Sequence, residues 1–184
     1  MKLYLVRHGE TEWNREGKKQ GRTDVSLNEV GISQAEKLRD EIRDKELEFD
    51  VCIASPLSRA KQTAEIATEG KYEIILDDRL VERCFGGFEG TLNEDWEKLS
   101  GGADSWDLKL NYSERGMESA KEILARAKEF LESVKQKYPD NYRIVVFSHG
   151  SFLKALHYTI IGYDENTDFH GFYFQNAEMK EYEV

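Results

Sequence analysis

The sequence predicts an α/β protein, three layers deep, with helices on both faces of a mostly parallel sheet. Short apolar runs at 3–6, 51–54 and 143–147 are the right length for buried strands. Between them lie amphipathic helical patterns, the alternation expected of βαβ units. Two of the strand candidates also leave directly into His-Gly, at His8-Gly9 and His149-Gly150.

The first strand, Leu3-Tyr4-Leu5-Val6, is cut off by Arg7-His8-Gly9. A polar loop punctuated by Gly17 and Gly21 follows, and Gly31 opens a helical pattern with Ile32, Ala35, Leu38 and Ile42 on one face. The second strand, 51–54, runs into Ser55-Pro56, read as a helix N-cap and a proline at the first helical position, with Arg59 in the first turn. Residues 72–76 make a short third strand. From 77 to 116 the pattern is irregular, with Gly86, Gly87, Gly90, Gly101, Gly102, Trp96 and Trp106; it reads either as a lid over a site or as a surface excursion with a short helix near 94–99. The clearest helix is 117–137, whose Ala120, Ile123, Leu124, Ala127, Phe130, Leu131 and Val134 recur every three or four residues. The strand at 143–147 is followed by a helix carrying Phe152, Leu153, Leu156 and Ile160. An edge strand, parallel or antiparallel, is expected at 169–174.

The chain has 184 residues and a mass of 21.4 kDa, so a single domain over 1–184 is expected, large enough for a full core. Its 36 acidic and 26 basic residues give a formal charge of −10, which argues against nucleic acid or an anionic membrane as partner. No apolar stretch is long enough to span a bilayer and no secretion signal is evident, so a soluble, cytoplasmic protein is expected, as monomer or homodimer. Cys52 and Cys84 make no disulfide framework and are read as reduced. Four scattered histidines do not supply metal-ligand spacing, and no H-x-H or H-E-x-x-H pattern is present.

In a parallel sheet both His-Gly strand ends lie on one edge, so the two imidazoles converge there with Arg7 and Arg59. Two guanidinium forks suit a phosphate dianion, and the helix starts after Ser55 and Gly150 are expected to add backbone donors. The nearby cations disfavour protonation of His8.

Four motifs run in order: R-H-G-E-T-x-x-N from Arg7, S-P-L-S-R-A-x-Q-T-A from Ser55, L-x-E-x-x-F-G-x-F-E-G from Leu80, and S-H-G from Ser148. Together they resemble the histidine phosphatase, or phosphoglycerate mutase-like, superfamily over residues 3 to about 176. Smaller agreements fall at Gln20-Gly21, Gly31 with Gln34-Ala35, Glu118-Ser119 and Asn176-Ala177. The resemblance implies a phosphoglycerate mutase-like fold and a phosphomonoesterase acting on a small phosphorylated metabolite. It implies that His8 is the nucleophile that becomes phosphorylated, that Arg7, Arg59 and His149 hold the phosphoryl group with Asn14, and that Glu82 is the general acid and base. Gln20, Gly21 and Gly150 are carried over as part of the phosphate site. No metal or other cofactor is expected, since two arginines and a second histidine take the place of magnesium.

Glu10 and Glu89 are the competing acids; Glu10 is close to His8 along the chain, and Glu89 reads as shaping its loop. Cys84 reads as packing. Cofactor-dependent mutases of the family carry a lysine where this chain has Asn93, an Arg-Arg pair that this chain lacks, and a longer insertion than 91–116. Hydrolysis is therefore favoured over mutase chemistry, with Lys98 and Arg115 as candidate replacements for the missing cations. The middle motif most resembles the broad-specificity and α-ribazole phosphatases. Trp13, Phe85, Phe88, Trp96 and Trp106 read either as an apolar approach or as packing. A non-catalytic phosphate-binding scaffold is the alternative from another class.

Overall fold

The computed structural model describes residues 1–111 and 115–184. Strand β1 (Lys2–Arg7) is followed by the short helix α1 (Glu12–Arg15), helix α2 (Glu29–Asp44), β2 (Val51–Ala54), α3 (Ser58–Ala67) and β3 (Ile74–Leu76). Short 3₁₀ turns lead to α4 (Trp96–Ser100), and α5 (Ala120–Lys137), β4 (Arg143–Ser148), α6 (Gly150–Ile161) and β5 (Met179–Glu183) complete the described elements.

The strands form one sheet in the order β3-β2-β4-β1-β5, parallel except for β5. Alternation along the strands divides the core. Leu3, Leu5, Ile144 and Val146 face α5 and α6, while Tyr4, Val6, Val145 and Phe147 face α2 and α3. This is the expected three-layer α/β/α arrangement. Each fully buried Leu, Ile or Phe contributes roughly 1.5–3 kcal/mol to holding the layers together.

Register decides where the site can form. Arg7 stands opposite Ser148 across β1 and β4, and Ala54 opposite Phe147 across β2 and β4. The three strands therefore end level. His8, His149 and Ser55 leave the same edge of the sheet side by side.

Three expectations change. The antiparallel edge strand is β5, not 169–174. Phe169 and Phe174 are buried, but they pack sideways: Phe169 stacks on Trp106 at 5.5 Å, and Phe174 meets Phe172 edge-on. Ser55 does not cap α3, which begins three residues later at Ser58 after Leu57. Instead the Ser55 hydroxyl accepts from Leu57 N at 3.3 Å and faces His149. Helix α2 begins at Glu29, two residues before Gly31, because the Asn28 side chain accepts from Gly31 N at 2.8 Å and caps it.

Gly31 is needed for another reason. The loop leaving β1 crosses the first turn of α2 so closely that a Cβ on Gly31 would lie 2.1 Å from Glu10 O, and one on Gly9 would lie 2.4 Å from Gly31 O. Among the described residues, no helix is long and apolar enough to cross a membrane.

Candidate active site

The level strand ends open into a cleft of about 270 Å³ lined by Arg7, His8, Asn14, Gln20, Gly21, Arg59, Glu82 and Gly150, among others. Every site residue expected from the sequence except His149 lines it. The volume suits a small metabolite.

His8 is buried, and its Nδ1–H donates to Gly9 O at 2.6 Å. That bond fixes the tautomer and leaves the lone pair on Nε2. Burial first, then the charges of Arg59 and Arg7, hold the imidazole well below its ordinary pKa, so it is neutral at physiological pH. The backbone around it is pinned: Gly9 N donates to Thr63 Oγ1 at 3.0 Å, and Asn176 Nδ2 donates to His8 O at 3.1 Å.

Arg59 is fully buried at the start of α3. Its Nη1 and Nη2 donate to Thr23 O at 2.9 Å and Gly21 O at 2.8 Å, and Nε donates to His149 Nδ1 at 3.1 Å. Gly21 has φ of +55°, a conformation that suits glycine, and a Cβ there would press on the Glu89 carboxylate at 2.1 Å. Arg7 donates through Nη1 to Phe174 O at 2.7 Å. Its Nε is buried with no hydrogen-bond partner among the described residues, the condition of a donor that waits for a ligand. Burial lowers the pKa of both guanidiniums, yet an arginine stays protonated in a protein.

His149 is placed differently from what the resemblance implied. Its Nδ1 accepts from Arg59, its Nε2–H donates to Ser55 Oγ at 2.8 Å, and it does not line the cleft. Its ring centre lies 5.1 Å from that of His8. Burial and then Arg59 hold this imidazole too well below its usual pKa.

The helix starts are also differently used. Ser58 N at the start of α3 donates to Asp24 Oδ1 at 2.9 Å, and Ser151 N and Phe152 N at the start of α6 donate to Glu82, each at 3.1 Å. The chain's own carboxylates take the donors that had been expected to face phosphate. Glu82 also accepts from Arg83 N at 2.7 Å.

Asn14 and Gln20 each have their side-chain carbonyl tied by Thr11: Asn14 Oδ1 accepts from Thr11 N at 3.2 Å, and Gln20 Oε1 from Thr11 Oγ1 at 2.8 Å. Their amide nitrogens are the groups offered to the cleft. Gly150 faces the site: a Cβ there would stand in ordinary contact, 3.5 Å from Arg7 Nε and 3.9 Å from Glu82 Oε2.

The competing acids fall outside the cleft. Glu10 accepts from Asn28 Nδ2 at 2.9 Å, and Glu89 accepts from Arg22 N, Thr23 N and Phe85 N, tying two loops together. Cys84 Sγ faces Gly116 O at 3.3 Å. Of the aromatic residues, Phe85 lines the cleft, whereas Phe88 and Trp106 are buried in packing. Among the described residues no three His, Cys, Asp or Glu side chains gather as a metal-ligand set.

The family model for the histidine phosphatase superfamily (branch 1) matches residues 3–184. The chain belongs to that superfamily. Its histidine phosphatase relatives include phosphoserine phosphatase 1 of Hydrogenobacter thermophilus, 38% identical over 167 residues, which cover 89% of this chain and 78% of that one. A 2,3-bisphosphoglycerate-dependent phosphoglycerate mutase of Methylobacterium is 33% identical over 162 residues, covering 84% and 77%. Among solved histidine phosphatase structures, a phosphoserine phosphatase mutant from Entamoeba histolytica in complex with phosphoserine superposes with a TM-score of 0.79 at 31% identity, covering 98% of this chain and 89% of that one.

Several cleft residues escaped the sequence reading. Lys18, Lys19, Ser151, Lys154, Tyr173 and Phe174 all line it, whereas Lys98 and Arg115, the suggested replacements for the mutase cations, do not. Lys19 adjoins Gln20-Gly21, and Lys154 lies one helical turn beyond Gly150. Position along α6 was the available signal for Lys154.

Proposed function

We propose that this histidine phosphatase is a metal-independent phosphomonoesterase that works through a phosphohistidine on His8. The observation that carries the reading is the state of that imidazole: neutral, one tautomer, and in the field of two guanidiniums that line the same cleft, with Arg7 Nε unpartnered among the described residues. In this reading Arg7, Arg59, Asn14 and Gln20 gather the phosphoryl oxygens, and His149 holds Arg59 in line. His8 Nε2 attacks phosphorus as the ester P–O bond breaks, and Glu82 gives its proton to the departing alkoxide. The Glu82 carboxylate then takes a proton from water, the hydroxide attacks the phosphohistidine, and inorganic phosphate leaves with His8 restored. Charge spread over the equatorial oxygens meets fixed cations, which is what phosphoryl transfer requires. The two unpaired cysteines accord with a reducing, cytoplasmic setting.

The test is phosphate release from a panel of sugar, glycerate, amino-acid, nucleoside and aryl phosphomonoesters in excess chelator, with wild type and His8→Ala side by side. Turnover that survives chelator and falls at least 10³-fold in the variant is expected, as for loss of a nucleophile. Failure to release phosphate from any ester, with transfer between hydroxyls after priming by a bisphosphate, would make the protein a mutase instead.

A further inference from the structure

One short segment reaches three members of the phosphoryl site from the far end of the sequence. Phe174 O accepts from Arg7 Nη1 at 2.7 Å, and Asn176 Nδ2 donates to His8 O at 3.1 Å and to Asn14 Oδ1 at 3.4 Å. Ala177 N adds bonds to Arg7 O at 3.0 Å and to His8 O at 3.2 Å. The His8 carbonyl is therefore held twice from a single turn.

Glu178 N closes that turn by donating to Gln175 O at 3.2 Å, and Gln175 N donates to the Glu178 carboxylate at 2.7 Å. Ala177 stands in it with φ of +56°, a left-handed conformation that a residue with a Cβ adopts at a cost. Such strain persists only where surrounding contacts hold it, and here those contacts run to the backbone of Arg7 and His8.

The partners decide which way both amides point. His8 O can only accept, so the Asn176 atom against it is the nitrogen. Thr11 N can only donate, and at 3.2 Å it marks the Asn14 atom beside it as the oxygen. Asn176 and Thr11 thus clasp the Asn14 carbonyl between them, and the nitrogen on the other branch of that amide is left for the cleft. Asn14 lines the cleft, whereas Asn176 does not.

We infer that Asn176 is a positioning residue for phosphoryl transfer, which turns the Asn14 amide nitrogen toward the phosphoryl oxygens and holds the His8 backbone beside it. The inference rests on the phosphatase reading for the roles of His8 and Asn14. Without Asn176, Thr11 is left to orient the Asn14 amide, and an amide that rotates meets the dianion with its oxygen instead of its N–H.

The experiment is a double-mutant cycle read in phosphate affinity. Inorganic phosphate is titrated calorimetrically into wild type, Asn176→Ala, Asn14→Ala and the double variant. Asn176→Ala is expected to weaken binding about fivefold alone, as for loss of one hydrogen bond, and less than about twofold in the Asn14→Ala background. An equal loss in both backgrounds, or no loss in either, overturns the inference. Asn176→Leu keeps the shape of the native side chain without its donor and should repeat the result; it replaces the alanine variant if that one does not fold. Turnover of p-nitrophenyl phosphate reads the other arm. There kcat should fall several-fold on Asn176→Ala in either background, since the bond to His8 O does not pass through Asn14, and an unchanged kcat would overturn the His8 half of the role. A wild type that binds phosphate with the expected coupling but hydrolyses no ester would refute the phosphatase reading and uphold the positioning of Asn14. One that binds no phosphate would refute both.

Discussion

Glu82 accepts from three backbone N–H groups, two of them at the first turn of α6, and is positioned by residues that never touch the cleft. Glu118 grips Arg126 through two bonds of 2.9 and 2.7 Å, and Arg126 Nη1 donates to Arg79 O and Val81 O, both at 2.7 Å. Ser148 Oγ donates to Leu80 O at 2.7 Å from the end of β4. The loop carrying Glu82 is thereby fixed from α5 and from the sheet. Glu82→Gln keeps an acceptor for Ser151 N and Phe152 N but has no proton to give. Steady-state kinetics should show kcat down about 10²–10⁴-fold with phosphate inhibition little changed. Arg126→Met removes two backbone anchors and is expected to lower kcat about tenfold with a smaller change in KM, since the acid is displaced while the phosphate site stays intact. An unchanged kcat for Arg126→Met would mean that the loop is held by other contacts.

Helix α5 shows what an element inherits from its sequence. Its apolar stripe was legible through the spacing of Ile123, Leu124, Ala127, Phe130 and Leu131, but its start was set by Ser119, whose hydroxyl accepts from Glu122 N at 3.2 Å while Glu122 accepts from Ser119 N at 2.7 Å. Ser119→Ala should cost about 1 kcal/mol in a denaturant melt. Gly31→Ala should cost more, roughly 2–3 kcal/mol, because its Cβ would meet backbone rather than a movable side chain. The central strands could be read because the inner residues of β1 and β4 and all of β2 are buried and carry an unbroken apolar run. Strand β5 could not: Met-Lys-Glu-Tyr-Glu is an edge with one partner, and its residues are half-buried or exposed. The aromatic run at 169–174 drew the strand assignment away from it by composition alone. The same division holds in the site. His8, Arg59 and Glu82 sit in motifs, whereas Lys19 and Lys154 occupy a polar loop and a helix face, where a lysine ordinarily means solvent.

For the molecule as a whole, two buried neutral imidazoles make stability depend on pH with a definite sign. The folded state resists protonating His8 and His149, whereas the unfolded chain protonates them near pH 6.5. Between the depressed folded pKa and 6.5 the unfolded state binds more protons. Their contribution is thus fully present above about pH 6.5 and is lost as pH falls below it, at up to about 1.4 kcal/mol per pH unit for each histidine. Denaturant melts from pH 8 to 5 should be level above 6.5 and decline below it. His8→Gln should decline less steeply by about one proton. Parallel slopes in the two proteins would show that His8 is not the group being titrated.

The strand order carries a further consequence for how the chain is made. β1 leads directly into His8, the proposed nucleophile, and pairs with β4 on one side and β5 on the other, both of which are translated long after it. While the polypeptide is still on the ribosome, β1 is an apolar strand with two open edges, and β2 lacks the neighbour that joins it to β1. Closing such distant pairings is slow. The nascent chain therefore carries β1 uncovered until 143–148 has been made, and the pocket at the strand ends comes into being only when β4 slots between β2 and β1.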